Sequence, residues 1–520
     1  MSFNHLLKQG CCGCAHNLNR RHFLKGCAAA TVLGTFSPAP LRSETVSGEK
    51  VRIGLVFLAN SKTTAEMWPY PNYDCDISIR QVSNALREGG HQFEFITVVV
   101  TSPADYQKAI ALKDSVDGYL IYVVTLNWEM GLVPLVSQLN KPTIVADEFL
   151  GGCGSFLTGV SALRKANVPF AAVSSTRLGD LVTAARVFSE IKRPGWTPAV
   201  FARKCEDAYR KTFPGRRNPA WKEDKIEVAG ISQCLGRLKQ STFLVVGSGN
   251  PGTQQVFLNG IKAIYVGFDE FKTHYDAVDK DQAAQWAERW IHEAEQVRDA
   301  TTPSINKAGA IYLAMRSLMN KYGTDSITMN CLGGFAAGKI DAYPCLGFRQ
   351  LLNDGQQGVC EAMPPDSICM LIGRCLTGRS GYVSDPALDT SSNSICYSHC
   401  MAHSKVFGPS GETNPFHIRT LHNRDPRGCC AQSFMPEGYL TTAFQVYLSS
   451  KTMVVHQART TGNLDVDRGC RTQLVGEVQG DIGKLFNHWD AWHRTTVYGD
   501  VKEPLTELGQ ALGLKVVAEA

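Results

Sequence analysis

The sequence predicts an α/β protein made of two Rossmann-like parallel α/β lobes, followed by a C-terminal mixed α+β, barrel-like domain. Short apolar runs rich in β-branched residues alternate with helical patterns from Val51 onward. This alternation is typical of parallel sheets whose strands are joined by crossover helices. From about Asp325 the pattern changes, because Gly, Pro, Cys and His become frequent and β-rich runs occupy residues 452–456 and 495–499. The second pattern favours a separate domain of mixed architecture.

The first lobe is predicted from apolar runs and helix signals. A helical pattern at 78–88 ends at Gly89 and Gly90, the residue type that commonly terminates a helix. Ser102 and Pro103 predict the start of another helix, with Ser as the cap and Pro in the first turn. The apolar runs predict buried strands. These runs lie at residues 51–58, 93–100, 118–124 and 143–146.

The second lobe restarts the same alternation near residues 168–169. Residues 242–247 and 263–266 predict strands, and residues 281–298 predict a long amphipathic helix. The Gly-rich segment 247–252 follows the first of these strands. It lacks both the dinucleotide fingerprint and the Lys of a phosphate-binding loop, which favours a tight βα turn.

Length and composition restrict the classes of protein. The chain has 520 residues, 44% hydrophobic and 19% charged, with a net charge of +5. The length predicts more than one domain, and the absence of a long Lys/Arg run argues against nucleic acid as a partner. No apolar stretch approaches the roughly 20 residues that span a bilayer, so no stable membrane anchor is expected. The predicted domain limits are 1–48 for a signal and linker, 49–165, 166–325 and 326–520.

The N-terminal segment 19–25, which contains Arg20 and Arg21, resembles a twin-arginine export signal. A short apolar stretch at 28–34 and a Pro-rich exit at 37–40 follow it, as in a signal peptide. The resemblance implies the twin-arginine translocase as a partner and a periplasmic or extracellular destination. That pathway exports folded proteins, so a metal ion could be loaded in the cytoplasm beforehand.

The chain contains 18 Cys, scattered rather than packed into a short disulfide-rich segment. Several lie inside apolar runs, where Cys commonly serves as a small buried hydrophobic residue. We therefore expect most of them to be buried.

The C-terminal part carries an ordered series of motifs. A Cys360-Glu361 pair follows the segment 353–355, an Asp-Pro at 385–386 follows the helix end 376–379, and a Trp-His-Arg at 492–494 precedes the strand 497–500. In order and rough spacing this series resembles the L-fucose isomerase and L-arabinose isomerase superfamily, in particular its fucose-isomerase-like proteins. The resemblance extends over nearly the whole chain after the signal.

The resemblance implies a metal site in this chain. Glu361 and Asp385 would be the acidic metal ligands and the proton-transfer groups, and His493 would be a distant histidine ligand. His399 would line the pocket. Weaker substrate-binding candidates are Trp492, which could stack on a sugar face or simply pack in the core, and Asn353.

The implied chemistry needs such a set of residues. Aldose–ketose interconversion removes a proton from the carbon next to a carbonyl, passes through an enediolate and returns the proton one carbon away. A divalent ion polarises the carbonyl, and carboxylates act as base and acid. Two carboxylates and one His are mainly hard ligands, which favours Mn²⁺, with Mg²⁺, Co²⁺ or Zn²⁺ as alternatives.

Other functions stay open at the level of the sequence. One is a secreted carbohydrate-binding protein that keeps the fold without turnover. Another is an epimerase or lyase that uses the same enediolate. The loop after Glu361 departs from the family pattern, because the next acid is Asp366. Relatives imply a homo-oligomer, and the sugar is not specified.

Overall fold

The computed structural model describes residues 50–60, 70, 72–126, 128–215, 220–422 and 428–520. The predicted export signal and linker at 1–48 lie outside these residues. Within them, no helix combines the length and the apolar composition that crossing a bilayer requires. The domain limits drawn from the sequence stay predictions.

The first lobe is built on a five-stranded sheet. Its strands are β1 (Val51–Leu58), β2 (Phe93–Val100), β3 (Gly118–Val123), β4 (Thr143–Asp147) and β5 (Ala171–Val173). Its helices are α1 (Cys75–Gly89), α2 (Tyr106–Ile110), α3 (Glu129–Leu139), α4 (Cys153–Lys165), α5 (Leu178–Ala185) and α6 (Pro198–Arg210). All strands are parallel, in the order β2-β1-β3-β4-β5. The central strands are buried on both faces, which explains their continuous apolar runs.

Local signals fix the ends of the first helices. Helix α1 begins earlier than the pattern at 78–88 predicts, because the Asp74 side chain accepts a hydrogen bond from the Asp76 backbone N–H. The helix predicted after Ser102 is present, but it consists of one 3₁₀ turn (Pro103–Asp105) followed by the short α2.

The second lobe is also a five-stranded sheet. Its helices are α7 (Ile231–Gln240), α8 (Phe268–Asp276), α9 (Lys280–Glu293), α10 (Thr302–Tyr322), α11 (Cys331–Ala336), α12 (Cys345–Asn353) and α13 (Pro364–Thr377). Its strands are β6 (Thr242–Val246), β7 (Gln254–Val256), β8 (Lys262–Val266), β10 (Ser326–Met329) and β11 (Gln357–Cys360), while β9 (Gln296–Val297) belongs to a separate small sheet. The order is β11-β10-β6-β8-β7, and only β7 is antiparallel to its neighbour.

Two details of the second lobe differ from the prediction. The segment 247–252 is not a βα turn, because it leads into β7, which pairs antiparallel with β8. The helix predicted at 281–298 ends at Glu293. Beyond it, the backbone N–H of Glu295 donates to the carbonyl of Phe416, so a long-range strand partner replaces the last helical turn.

The third part contains a closed antiparallel barrel. Its elements are β12 (Tyr382–Asp389), β13 (Ser394–His399), β14 (Phe416–Thr420), β15 (Cys429–Ser433), β16 (Leu440–Tyr447), β17 (Thr452–Asn463), β18 (Thr472–Val478), β19 (Arg494–Tyr498), α14 (Lys502–Ala511) and β20 (Lys515–Ala518). The strands run β16-β19-β12-β13-β18-β17, and β17 pairs back with β16. Strand β20 adds to β17 in parallel, and β14 and β15 form the small sheet with β9. The predicted fold class is confirmed.

Shared hydrophobic cores bring both lobes against the barrel. Phe156 of α4 packs edge-on against Phe486, with ring centroids 5.9 Å apart, in a cluster that also contains Tyr397 of β13. Ile368 of α13 and Phe444 of β16 belong to another cluster. The end of β11 and the start of α13 therefore lie against the barrel.

Candidate metal centre and active site

Glu361 directly follows β11, at the carboxyl edge of the second parallel sheet. Ligands in α/β proteins commonly bind at this edge. Glu361 and Ala362 adopt φ values of 70° and 53°, which non-glycine residues rarely adopt. Such strain is often found at functional sites, where the surrounding structure holds it. The Glu361 side chain keeps 29% of its surface accessible, the largest share among the acidic and histidine side chains that meet here.

Asp385 and His493 reach Glu361 from neighbouring barrel strands. Ser384 of β12 is paired with Arg494 of β19, so the adjacent positions Asp385 and His493 lie side by side. The Nε2 atom of His493 lies 3.2 Å from Asp385 Oδ1 and 3.6 Å from Glu361 Oε2. The structure thus brings together the three residues that the resemblance implies as ligands.

A buried acid supports His493 from behind. Asp366, in the first turn of α13, accepts a hydrogen bond from His493 Nδ1 at 2.6 Å through Oδ2. Its Oδ1 accepts one from Gln445 Nε2 at 2.8 Å. With the proton on Nδ1, the Nε2 lone pair of His493 is directed at the two carboxylates. A carboxylate that orients a histidine in this way is the usual outer partner of a histidine metal ligand.

The sequence interpretation missed the role of Asp366. It noted this residue only as the next acid after an altered loop. Asp366 and His493 are far apart in the chain, and the packing of α13 on the barrel brings them together. The available signal was Pro364-Pro365-Asp366 itself, because prolines followed by an acid predict the first turn of a helix.

The surroundings shift the pKa values of Glu361 and Asp385 in opposite directions. Burial raises the pKa of Glu361, and the nearby Asp385 adds to that rise, although His493 opposes it. Burial also acts to raise the pKa of Asp385, but the nearby charge of His493 outweighs it and lowers the pKa. Burial lowers the pKa of His493, yet Asp366 and Asp385 together raise it well above its usual range. Glu361 is therefore the carboxylate better suited to take up a proton.

His399, at the end of β13, directs its Nε2 atom into the same site. This atom lies 3.9 Å from Glu361 Oε1. Its Nδ1 accepts a hydrogen bond from the Cys400 backbone N–H at 2.9 Å, so a neutral ring carries its proton on Nε2. Burial lowers the pKa of His399, but Cys400, Asp385 and Glu361 raise it to about 9, and the charged ring also has a proton on Nε2. His399 is thus a hydrogen-bond donor facing Glu361, whereas the neutral form of His493 presents an Nε2 lone pair that can accept a hydrogen bond or bind an ion.

The two weaker candidates occupy different places. Trp492 is half-buried next to His493. Its ring packs against the start of α4 at Gly154, where an added Cβ would lie 3.6 Å from it. Asn353 bonds Ser404 through both polar atoms, with Nδ2 donating to Oγ at 3.1 Å and Oδ1 accepting from the backbone N–H at 2.9 Å. Within the described residues, none of the hydrogen bonds of Asn353 reaches the other predicted site residues.

The donor set fits a divalent ion. The Nε2 atoms of His399 and His493 are buried and have no hydrogen-bond partner among the described residues. Ligand atoms of Glu361, His399 and His493 all lie within 4.8 Å of one another. Buried polar atoms without partners are costly, and a cation between the carboxylates and His493 Nε2 would satisfy the latter.

Comparison with known proteins gives a distant similarity to a sugar isomerase. The chain is 25% identical over 246 residues to the sulfoquinovose isomerases of Priestia aryabhattai and Priestia megaterium (strain ATCC 12872 / QMB1551), which covers 44% of this chain. The match spans about half the length of these curated relatives, 53%. No protein-family model matches the chain.

Solved structures give a weak likeness to solute-binding proteins of ABC transporters. One is from Burkholderia multivorans, with 12% identity and a TM-score of 0.17, covering 56% of this chain and 86% of that protein. Another, from Actinobacillus succinogenes 130z with bound D-allose, has 12% identity and a TM-score of 0.17, covering 56% and 84%. The similarity to sulfoquinovose isomerase is the finding that bears on function.

Proposed function

We propose that this protein is an exported, divalent-metal-dependent sugar isomerase that interconverts an aldose and a ketose through an enediolate. The observation that carries the proposal is the convergence of Glu361 and Asp385 on the Nε2 atom of His493. The similarity to sulfoquinovose isomerase supports a sugar as the substrate class.

Glu361, Asp385 and His493 would hold the ion, with Mn²⁺ as the first candidate. A set of two carboxylates and one imidazole favours such an ion over a soft one. When bound, the ion polarises the sugar carbonyl and offsets the negative charge that develops on its oxygens. The Asp366 hydrogen bond would keep the His493 ring in the orientation and tautomer that ligation needs.

The two carboxylates have different roles. Glu361, whose pKa is raised, would take the proton from the carbon next to the carbonyl, exchange it with solvent and deliver a proton to the former carbonyl carbon, while the hydroxyl proton passes from O2 to O1 by way of solvent. Asp385, whose pKa is lowered, stays ionised and serves mainly as a ligand. Both carboxylates lie within 3.6 Å of the same nitrogen atom, so the base would stand next to the bound ion.

His399 and Trp492 position the sugar. The Nε2–H of His399 donates to a sugar oxygen beside Glu361. The nearby His399 also favours the ionised form of the Glu361 carboxylate. Trp492 offers a half-buried ring next to His493 for stacking on the apolar face of a pyranose.

The proposal includes the wider setting that the sequence implies. The protein would belong with the fucose-isomerase-like proteins, leave the cytoplasm through the twin-arginine translocase and assemble as a homo-oligomer. Export in a folded state would let it acquire Mn²⁺ in the cytoplasm, since affinity order alone favours copper or zinc at a mixed N/O site.

The test is conversion of sugars in deuterated water by the Mn²⁺-loaded full chain. The panel contains aldoses, ketoses and sulfoquinovose, and proton NMR follows both new products and deuterium at C1 or C2. The proposal expects an aldose–ketose pair with solvent deuterium in the product. The variants Glu361→Gln and His493→Ala should lose this activity. Asp389→Asn, at the far end of β12, is the matched control and should keep it.

The other outcomes are distinguishable. Sugar binding by calorimetry without any exchange or conversion would overturn the isomerase proposal in favour of a carbohydrate-binding protein. A change of configuration without a ketose would indicate an epimerase, and chain cleavage a lyase; either would overturn aldose–ketose interconversion.

A further inference from the structure

A group of buried thiols lies directly behind the candidate active site. Cys345 begins α12, Cys360 ends β11 and Cys400 follows β13, so the three thiols come from separate elements. Their sulfur atoms all lie within 4.8 Å of one another, and the sulfurs of Cys345 and Cys400 are 3.4 Å apart. We call these three residues the thiol cluster. Cys470 lies near Cys400, since ligand atoms of Cys470, Cys400 and His399 are within 4.8 Å of one another.

The thiol cluster differs from the other buried cysteines in its partners. Elsewhere in the described residues, several buried thiols donate to a backbone carbonyl, which is the ordinary way to satisfy a buried S–H. These are Cys75, Cys205, Cys234, Cys429 and Cys430. In the thiol cluster the sulfurs face one another instead, and Cys400 Sγ also lies 3.4 Å from His399 Nδ1. Three sulfurs that converge on one point, with a fourth near one of them, form a ligand set that thiophilic ions prefer.

We propose that Cys345, Cys360 and Cys400, with Cys470 as the fourth donor, form a second, thiolate metal site of the kind that holds Zn²⁺. A Zn–S bond of about 2.3 Å places tetrahedral sulfurs about 3.8 Å apart, which agrees with the spacing of the thiol cluster. Each cysteine binds as a thiolate and releases its proton to solvent as the ion enters. Cys345 lies at a helix N-terminus, where negative charge is favoured.

The position of this site gives it a structural role. Cys360 directly precedes Glu361 in the chain, and Cys400 directly follows His399. An ion held by these thiolates would therefore fix the backbone next to both active-site residues. Glu361 needs such support, because it and Ala362 adopt positive φ values. The metal ion held by the thiolates would be separate from the Mn²⁺ of the proposed active site, since the thiol cluster offers no hard oxygen donor.

The experiment uses the reduced full chain, stripped by a chelator and titrated with Co²⁺. A thiolate site gives an intense sulfur-to-cobalt charge-transfer band in the near ultraviolet, whereas a carboxylate–imidazole site does not. We expect this band in the unsubstituted protein and its displacement by Zn²⁺. It should persist in Glu361→Gln and His493→Ala, which separates this test from that of the proposed function.

Two variants locate the site. Cys345→Ala and Cys360→Ala should abolish the charge-transfer band and the Zn²⁺-dependent rise in melting temperature. Cys205→Ala, a buried thiol of the first lobe that bonds a carbonyl, is the matched control and should keep both. Absence of the band in the unsubstituted reduced protein would overturn the proposal without any variant. A Cys345–Cys400 disulfide found by peptide mapping of the protein as isolated, with no bound zinc, would also overturn it.

Discussion

The Asp366–His493 hydrogen bond makes a specific prediction for Asp366→Asn. The asparagine keeps the size of the side chain, and its Oδ1 can still accept from Gln445 Nε2, as the aspartate does at 2.8 Å. Its amide nitrogen then faces His493 Nδ1, where a carboxylate oxygen lies at 2.6 Å. An amide N–H is a donor, so the neutral His493 ring must move its proton to Nε2, the atom that faces Asp385 and Glu361. The lone pair needed for ligation is thereby lost.

The expected cost is a weaker metal site in an intact fold. Loss of an outer carboxylate partner weakens metal binding by about 10- to 100-fold, or about 1.4 to 2.7 kcal/mol. Binding also requires His493 to lose the Nε2 proton, and Asp366 contributes to its raised pKa. The loss should therefore be greatest at high pH and smaller at low pH, where the aspartate form suffers more proton competition.

The assay is Mn²⁺ binding to the chelator-stripped protein, followed by the EPR signal of the free ion at several pH values. Asp389→Asn is the matched control, because Asp389 is a buried acid on the same strand as Asp385 that bonds Thr176 and neighbouring serines instead. Its Mn²⁺ affinity should be unchanged. Equal affinity of Asp366→Asn and the unsubstituted protein at all pH values would refute the reasoning that Asp366 sets the tautomer of His493.

Three further predictions concern stability. Glu361→Gly should be more stable than Glu361→Ala by about 1 kcal/mol in urea unfolding, because only glycine relieves the φ of 70°; equal stabilities would contradict strain there. Glu519→Gln should destabilise the fold by about 3–5 kcal/mol, since it breaks the buried pair with Arg494 at 2.7 Å, while exposed Glu507→Gln should have little effect. The pKa of Glu519 is lowered to about 2, so this stabilisation is present above its ordinary pKa and fades as pH falls towards 2. Burial raises the pKa of Asp147 to about 8. The free energy of unfolding is therefore highest at low pH, where Asp147 is protonated in both states, and declines as pH rises to 8 by at most about 1.4 kcal/mol per pH unit. Asp147→Asn should remove that decline and exposed Asp269→Asn should not; parallel pH profiles for Asp147→Asn and the unsubstituted protein would be contrary to the expectation.

The sequence predicted the parts of the fold that local patterns determine. The runs at 51–58 and 93–100 are strands with the predicted bounds. The first is buried because apolar residues occupy both faces, whereas the second lies at the edge of the sheet and buries only Phe93 and Val100. Helix α13 ends at Thr377, followed by Gly378 in the left-handed conformation, as the motif at 376–379 predicted. The expectation that most Cys are buried is confirmed for the described cysteines.

Tertiary partners decided what the sequence could not. The helix predicted to Arg298 ends early because residues 296–297 pair with β14, more than a hundred residues later. The Pro-Pro-Asp segment indicated only the start of a helix, because the partner of Asp366, His493, lies on another element. The thiol cluster was likewise not visible as a group, since its cysteines are adjacent only in the folded chain.

The candidate site shows the same division. The motifs indicated Glu361, Asp385 and His493, and the structure brings them together. Whether they bind a metal stays a prediction. The distinction between His399 as donor and His493 as acceptor needed the hydrogen bonds of each Nδ1 atom. No sequence pattern encodes which ring nitrogen carries the proton.

The most direct test of the central claim is Mn²⁺ titration of the chelator-stripped full chain, read by EPR and melting temperature. The thiol cluster does not interfere, because thiolates favour softer ions. We expect one Mn²⁺ bound per chain with a rise in melting temperature, and the loss of both in Glu361→Gln and His493→Ala. No binding of Mn²⁺, Mg²⁺ or Co²⁺ outside the thiol cluster, or binding that both variants retain, would contradict the proposed metal centre.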